Sequence, residues 1–135
     1  PTGIVGVVKD VSANYTSVIS LLNQSLKISA MFKESGYFGS INWDGKNYRY
    51  VTFSELPSHI EINVGDTVVT SGFSAMFPKG EMVGLVNEID RSETGEFVEV
   101  QVELSVNFKK LQYVMVIRNL LFDEQVKLET ESRHD

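Results

Sequence analysis

The 135-residue chain contains no cysteine. That one absence excludes disulfides, thiolate metal sites and cysteine nucleophiles together. Histidine is almost as scarce, with only His59 and His134, far apart in the chain; no ligand cluster forms from these two, and neither a metal nor another cofactor is expected. No apolar run is long enough to cross a bilayer as a helix. Cations are outnumbered as well, 12 Lys and Arg against 18 Asp and Glu, for a formal net charge of −6. Without a basic cluster to meet phosphates, neither a nucleic-acid partner nor an anionic membrane surface is expected. Internal repeats of fixed period and low-complexity linkers are also missing.

What remains is a globular composition, 42% hydrophobic and 22% charged, and a length that holds one ordinary domain or two very small ones. The chain opens on Pro1 rather than methionine. A fragment or processed chain is therefore expected, with any anchoring segment lying upstream.

Periodicity points to strands throughout. Residues 3–11 are rich in valine and isoleucine and broken only by Gly6, the pattern of a strand buried on both faces or closing a barrel. Residues 16–22 are read as a strand rather than a helix because the segment is short and flanked by strands. Residues 26–32 alternate, with Leu26, Ile28, Ala30 and Phe32 on one face. The clearest alternation is Val98, Val100, Val102, Leu104 and Val106 against Glu99, Gln101, Glu103 and Ser105. Glu99 and Glu103 then read as a solvated surface, and residues 111–117 as a strand pairing with it.

Trp43-Asp44-Gly45-Lys46 is a hairpin signal, since Asp-Gly supplies the positive φ angles of a type I′ turn. A two-residue loop at Asp44 and Gly45 pairs Trp43 with Lys46, Ile41 with Tyr48, Gly39 with Tyr50 and Tyr37 with Thr52. Tyr50 would then cover the bare backbone of Gly39. Tyr37, Trp43, Tyr48 and Tyr50 become an aromatic group that is either barrel core or an exposed partner platform. Lys46 and Arg49 are too few to turn these aromatics into a single-strand nucleic-acid platform.

Residues 64–86, V-G-D-T-V-V-T-S-G-F-S-A-M-F-P-K-G-E-M-V-G-L-V, hold four of the ten glycines and one of the three prolines. Gly65-Asp66 is a turn that launches a strand at 67–70. Ser71-Gly72 ends that strand, and Pro78-Lys79-Gly80 reverses the chain into a strand at 82–89. The reading is a strand, an arch and a strand.

This stretch resembles the signature of the extracytoplasmic region of the MreC family of rod-shape-determining proteins. G-I-V-G-V-V at residues 3–8 and the strand pair at 97–104 and 111–117 are similar to further parts of the same family, so the resemblance runs from about residue 3 to 117. It implies a non-enzymatic scaffold of the bacterial cell-elongation machinery, on the periplasmic side of the cytoplasmic membrane and anchored by an upstream helix. The implied partners are the elongation-specific penicillin-binding protein, MreD and further copies of itself. It also implies structural motif roles for Gly65, Asp66, Thr70, Ser71, Gly72, Phe77, Pro78, Gly80 and Gly84, with Phe77 an anchor under the arch.

The expected fold is all-β, two small, mostly antiparallel six-stranded barrels without a sizeable helix. Residues 1–57 would form the first, 58–118 the second, and 119–135 a C-terminal extension with a disordered tip. Truncation upstream would leave one barrel incomplete, with an edge open to another chain. Two rival functions stand beside the scaffold. A chymotrypsin-like serine hydrolase, degenerate or active, would use Ser71 with His59, but the G-D-S-G context is absent because Thr67 follows Gly65-Asp66, and a strand-capping turn is the simpler role for Ser71. A small-ligand or carbohydrate-binding β-module would show saturable quenching of Trp43 fluorescence by a soluble ligand.

Overall fold

The alternating valines of the sequence set the architecture. In the computed structural model, which describes residues 3–11, 16–73 and 77–108, eight strands follow in chain order. They are β1 Gly6–Val11, β2 Thr16–Ser20, β3 Ile28–Phe32, β4 Phe38–Asn42, β5 Tyr50–Ser54, β6 Thr67–Thr70, β7 Met82–Arg91 and β8 Val98–Leu104. Every regular element among the described residues is a strand. In β8, Val98, Val100, Val102 and Leu104 are buried while Glu99, Gln101 and Glu103 turn outward. Period-two alternation puts successive side chains on opposite faces, so one face of the strand is core and the other is surface.

Six strands close on one another in the order β3-β4-β5-β8-β7-β6, all neighbours antiparallel. Closure leaves no unpaired edge within the barrel. The interior is filled by Ile28, Ala30, Phe32, Ile41, Val51, Phe53, Val68 and the inward valines of β7 and β8. Phe32 and Phe53 meet with ring centroids 5.1 Å apart. Each fully buried side chain of this kind contributes roughly 1.5–3 kcal/mol. β1 and β2 pair as a separate two-stranded sheet. Ile4 N–H donates to Met82 O at 2.9 Å, and Ile4 and Leu21 join the barrel's core cluster.

Of the two six-stranded barrels expected, the described residues show one closed barrel, and it is not divided at residue 57 as expected. The described residues form one closed barrel and a small sheet, and the barrel takes three strands from each side of residue 57. The reason is long-range: β3 pairs with β6 and β5 pairs with β8, which closes one cylinder across the boundary instead of one on each side. The strand expected at 111–117 and the extension at 119–135 lie outside the described residues.

The hairpin register is a second correction. Ile41 pairs with Phe53 and Asn42 with Thr52, so the connection is the loop 43–49 and not two residues. Ile41 and Phe53 are both completely buried; the observed register places these two large side chains opposite each other inside, and that burial outweighs the local Asp-Gly signal. Gly45 does take positive φ, 86°. Gly39 is glycine for another reason, since a Cβ there would lie 2.2 Å from Ser54 O; Tyr50 pairs instead with Glu103.

Candidate functional site

β6 ends at Thr70, whose side chain is almost wholly buried and closes the arch that follows. Its Oγ1 donates to Pro78 O at 2.6 Å and accepts from Glu81 N–H at 2.8 Å. Its backbone adds Thr70 N–H to Glu81 O at 2.8 Å and Gly80 N–H to Thr70 O at 2.9 Å. Gly80 takes φ 92° at the reversal, and Gly72 and Gly65 lie at 79° and 94°, a region that favours glycine. The turn at Gly65 is clipped to β7 by Gly65 N–H to Val86 O and Val86 N–H to Asp66 O, and Asp66 Oδ2 accepts from Asn63 N–H at 2.8 Å. At Gly84 a Cβ would come 2.0 Å from Glu103 O, so β7 and β8 approach there as only glycine permits. Phe77 is partly buried and packs against the core cluster.

Ser71 belongs to this frame. Its hydroxyl donates to Ser29 Oγ at 2.7 Å and accepts from Phe73 N–H at 3.2 Å. Its backbone N–H also donates to Ser29 O. His59 is exposed on a turn whose neighbours Ser58 and Ile60 are held by Arg91. The arch meets the first residues of the ten-residue β7 and Arg91 is its last, so Ser71 and His59 sit at opposite ends of that strand and make no dyad. Among the described residues, no three His, Asp or Glu side chains converge on a metal-sized site.

The arch shapes a surface with β3 and β4. In β3 the buried residues are Ile28, Ala30 and Phe32, so Met31 turns outward, opposite Phe38 of β4. Phe38 is 54% exposed and Phe73 of the arch 70%. The two rings meet edge-on, centroids 4.7 Å apart and planes at 65°, an arrangement favoured by the aromatic quadrupole. Beside them is a groove of about 750 Å³ lined by Met31, Phe73, Phe77 and Pro78, with Lys33, Glu34 and Lys79 among its charged residues. Tyr37 is exposed next to Phe38 in the sequence.

On the other side of the ring of strands is the β7–β8 hairpin. Its outward positions carry Glu88, Asp90 and Glu99, with Asp90 directly opposite Glu99. Its tip holds Glu93 and Glu96, both exposed, and ends in Phe97, 60% exposed. The tip is fixed by Ser92, whose N–H donates to Phe97 O at 3.1 Å and whose hydroxyl accepts from Phe97 N–H at 3.2 Å.

The aromatic group expected on one face is not assembled. Tyr37 is exposed, but Trp43 is partly buried, packs against the core cluster and donates its indole N–H to Asn47 O at 2.9 Å. Tyr48 and Tyr50 are half-buried in the loop 43–49 and at the start of β5. The register difference removes the shared face, and Trp43 is engaged in closing its loop. The exposed phenylalanines 38, 73 and 97 were not legible beforehand. Phe38 could have been found from an outward position in the correct register; Phe73 and Phe97 adjoin a turn and a tip, where alternation gives no signal.

Residues 1–118 match the family model described as rod shape-determining protein MreC, barrel core. A cell shape-determining protein MreC of Listeria monocytogenes is 25% identical over 121 residues, covering 87% of this chain and 41% of the relative. The chain thus spans well under half the length of that protein. In fold it is similar to the crystal structure of MreC from Pseudomonas aeruginosa, with a TM-score of 0.78 at 24% identity over 87% of this chain and 75% of that one. It is also similar to a chain in a complex between penicillin-binding protein PBP2 and MreC from Helicobacter pylori, with a TM-score of 0.58 at 22% identity over 73% of this chain and 60% of that one.

Proposed function

Because the chain belongs to the MreC family of rod shape-determining proteins, matching its barrel core, we propose that it is a non-enzymatic scaffold of the bacterial cell-elongation machinery. It organises peptidoglycan-synthesis enzymes by protein–protein contact and by association with itself. The observation that carries this reading is the exposed Phe38–Phe73 pair beside a groove on a closed barrel: large aromatics held open to solvent are the chemistry of binding hot spots. Ser71 supports it, since its hydroxyl is engaged with Ser29 and, among the described residues, no histidine enters that network.

The elongation-specific penicillin-binding protein is the first partner, supported by the Helicobacter pylori relative found with PBP2. MreD is a further partner. In this reading the barrel is displayed in the periplasm, and a membrane anchor lies in sequence beyond these residues; no helix among the described residues is long and apolar enough to cross a membrane.

The test is binding of the folded chain to the purified extracytoplasmic part of the elongation-specific penicillin-binding protein. Saturable binding is expected, together with no turnover of ester or peptide substrates. A folded chain that does not bind overturns the partner, and hydrolysis abolished by Ser71→Ala overturns the non-enzymatic reading.

A further inference from the structure

The outer face of the barrel over β4, β5 and β8 holds a strip with neither net charge nor an apolar centre. Along β5 the outward residues are Tyr50, Thr52 and Ser54, in line at every second position. The register sets Asn42 and Ser40 of β4 beside Thr52 and Ser54, and Gln101 of β8 beside Thr52 on the other flank. All six are half-buried, so the strip is flat and its side chains are held by their neighbours. Charges stand at its margins. Lys27 and Glu55 pair at the Ser40 end, where Ser40 Oγ donates to Glu55 at 2.7 Å. At the other end Arg49 donates to Glu103 at 2.6 Å, opposite Tyr50. Beyond Gln101 the carboxylates of Glu88 and Glu99 mark the edge of the strip.

Several polar groups on the strip have no protein partner among the described residues. Gln101 accepts from Asn87 Nδ2 at 2.6 Å through its carbonyl, which leaves its two amide N–H groups. Asn42 spends its Nδ2 on Gln24 O and Leu26 O, which leaves its carbonyl. The hydroxyls of Thr52 and Ser54 can each donate and accept. Donors and acceptors are therefore intermixed across neighbouring strands, which lie about 5 Å apart.

This chemistry selects the occupant. A protein partner is held chiefly through a buried apolar centre, which the strip lacks. A polyelectrolyte needs a charged face. A neutral sugar chain matches the strip: its hydroxyls donate and accept in turn, and the C–H face of a pyranose ring can stack on Tyr50 at the end. From Ser54 to Tyr50 the track measures about 14 Å at strand rise, the reach of an oligosaccharide rather than of one sugar.

We propose that the strip from Tyr50 to Ser54, with Ser40, Asn42 and Gln101 beside it, is a binding face for a neutral glycan chain. The inference rests on the reading above for the source of that chain, the glycan strand of peptidoglycan, and on the strip for its chemistry. Binding is weak, because each hydrogen bond on an open sheet face replaces one to water. It is also insensitive to salt, because no charge is screened.

The test is titration of the isotope-labelled chain with the soluble tetramer of N-acetylglucosamine, read by amide chemical shifts, beside Tyr50→Ala and Thr52→Arg variants confirmed folded by a thermal melt. Saturable shifts at residues 40–42, 50–54 and 101 are expected, unchanged between low and high salt. Affinity should fall about tenfold in Tyr50→Ala, which removes the stacking ring, and about as much in Thr52→Arg, which fills the middle of the strip. Should Tyr50→Ala not fold, Gln101→Ala removes only an outward amide and should weaken binding about fivefold. No saturable shifts, shifts that map to another surface, or unchanged affinity in the folded variants overturns the glycan face. Binding to the penicillin-binding protein is measured separately. Glycan binding without it overturns that partner and leaves the face standing, whereas protein binding without glycan shifts overturns the face and leaves the scaffold.

Discussion

The two halves of the barrel reverse their strands by different means. In the first, β3 to β5, the chain ends are tied by polar side chains that water also reaches. Gln24 Nε2 donates to Asp44 O at 2.7 Å, Asn42 Nδ2 donates to Gln24 O at 2.9 Å, and Arg49 N–H donates to Asn47 Oδ1 at 2.9 Å. In the second, β6 to β8, the ties are interior: the hydroxyl of Thr70 inside the arch and the close approach of β7 to β8 at Gly84. Both halves close the same cylinder, yet they distribute risk differently. Exposed ties can be lost to water one at a time, whereas a buried tie leaves an unsatisfied group or a clash when it is altered.

The sharpest way to break this contrast is to compare glycines. Gly84→Ala puts a Cβ 2.0 Å from Glu103 O, in a strand paired on both sides by β6 and β8, and separating those ladders is expected to cost about 3 kcal/mol or more. Gly39→Ala meets Ser54 O at 2.2 Å, but Ser54 is the last residue of β5, with Glu55 beyond it already in a turn conformation. The strand end can give way, so the loss should be about 1–2 kcal/mol. Urea denaturation of both variants reads the difference, and equal losses would mean that the halves are equally constrained.

A smaller effect is expected where the ties themselves are cut. Thr70→Val keeps the shape of a buried side chain and removes the hydroxyl, leaving Pro78 O and Glu81 N–H without that partner; a loss of about 2–3 kcal/mol is expected. Asn47→Ala removes the matching tie in the loop 43–49, where the residue is exposed, and should cost under about 1 kcal/mol because water replaces the bond. The same chemical denaturation compares them. A Thr70→Val loss no greater than that of Asn47→Ala would erase the distinction between buried and exposed ties.

The same contrast explains what could be read from the sequence. β8 was legible because Val98, Val100 and Val102 alternate with Glu99 and Gln101, a pattern that needs no distant partner to interpret. The arch was legible because Ser71-Gly72 and Pro78-Lys79-Gly80 are turn chemistry at both ends. The β4–β5 register was not, since Asp44-Gly45 is a strong local signal and only the burial of Ile41 opposite Phe53 on the neighbouring strand overrides it. Closure into one barrel was hidden for the same reason, as the β3–β6 and β5–β8 pairings join segments far apart in the chain. The exposed pair Phe38 and Phe73 comes from two such segments, so no local pattern could have brought them together.

The smallest effect tests the exposed half by pH. Glu55 accepts hydrogen bonds from Lys27 Nζ and from Ser40 Oγ on the outer face of the first half. The hydrogen bond from Lys27, then that from Ser40, then the Lys27 charge hold its carboxyl below the ordinary glutamate value of 4.5, against slight desolvation. A carboxylate with a lowered folded-state pKa contributes stability that is fully present above its unfolded value and is lost as pH falls through the lowered one. Both partners are 57% exposed, so screening keeps the contribution small. The urea midpoints of wild type and Glu55→Gln should therefore differ near neutral pH and converge as pH falls below the ordinary glutamate range. Thr70→Val should show no such convergence, because its lost bonds involve a hydroxyl, a carbonyl and an amide that do not titrate there. A Glu55→Gln difference that stayed constant across the acid limb would show that the carboxylate's charge is not what ties Lys27 and Ser40 together.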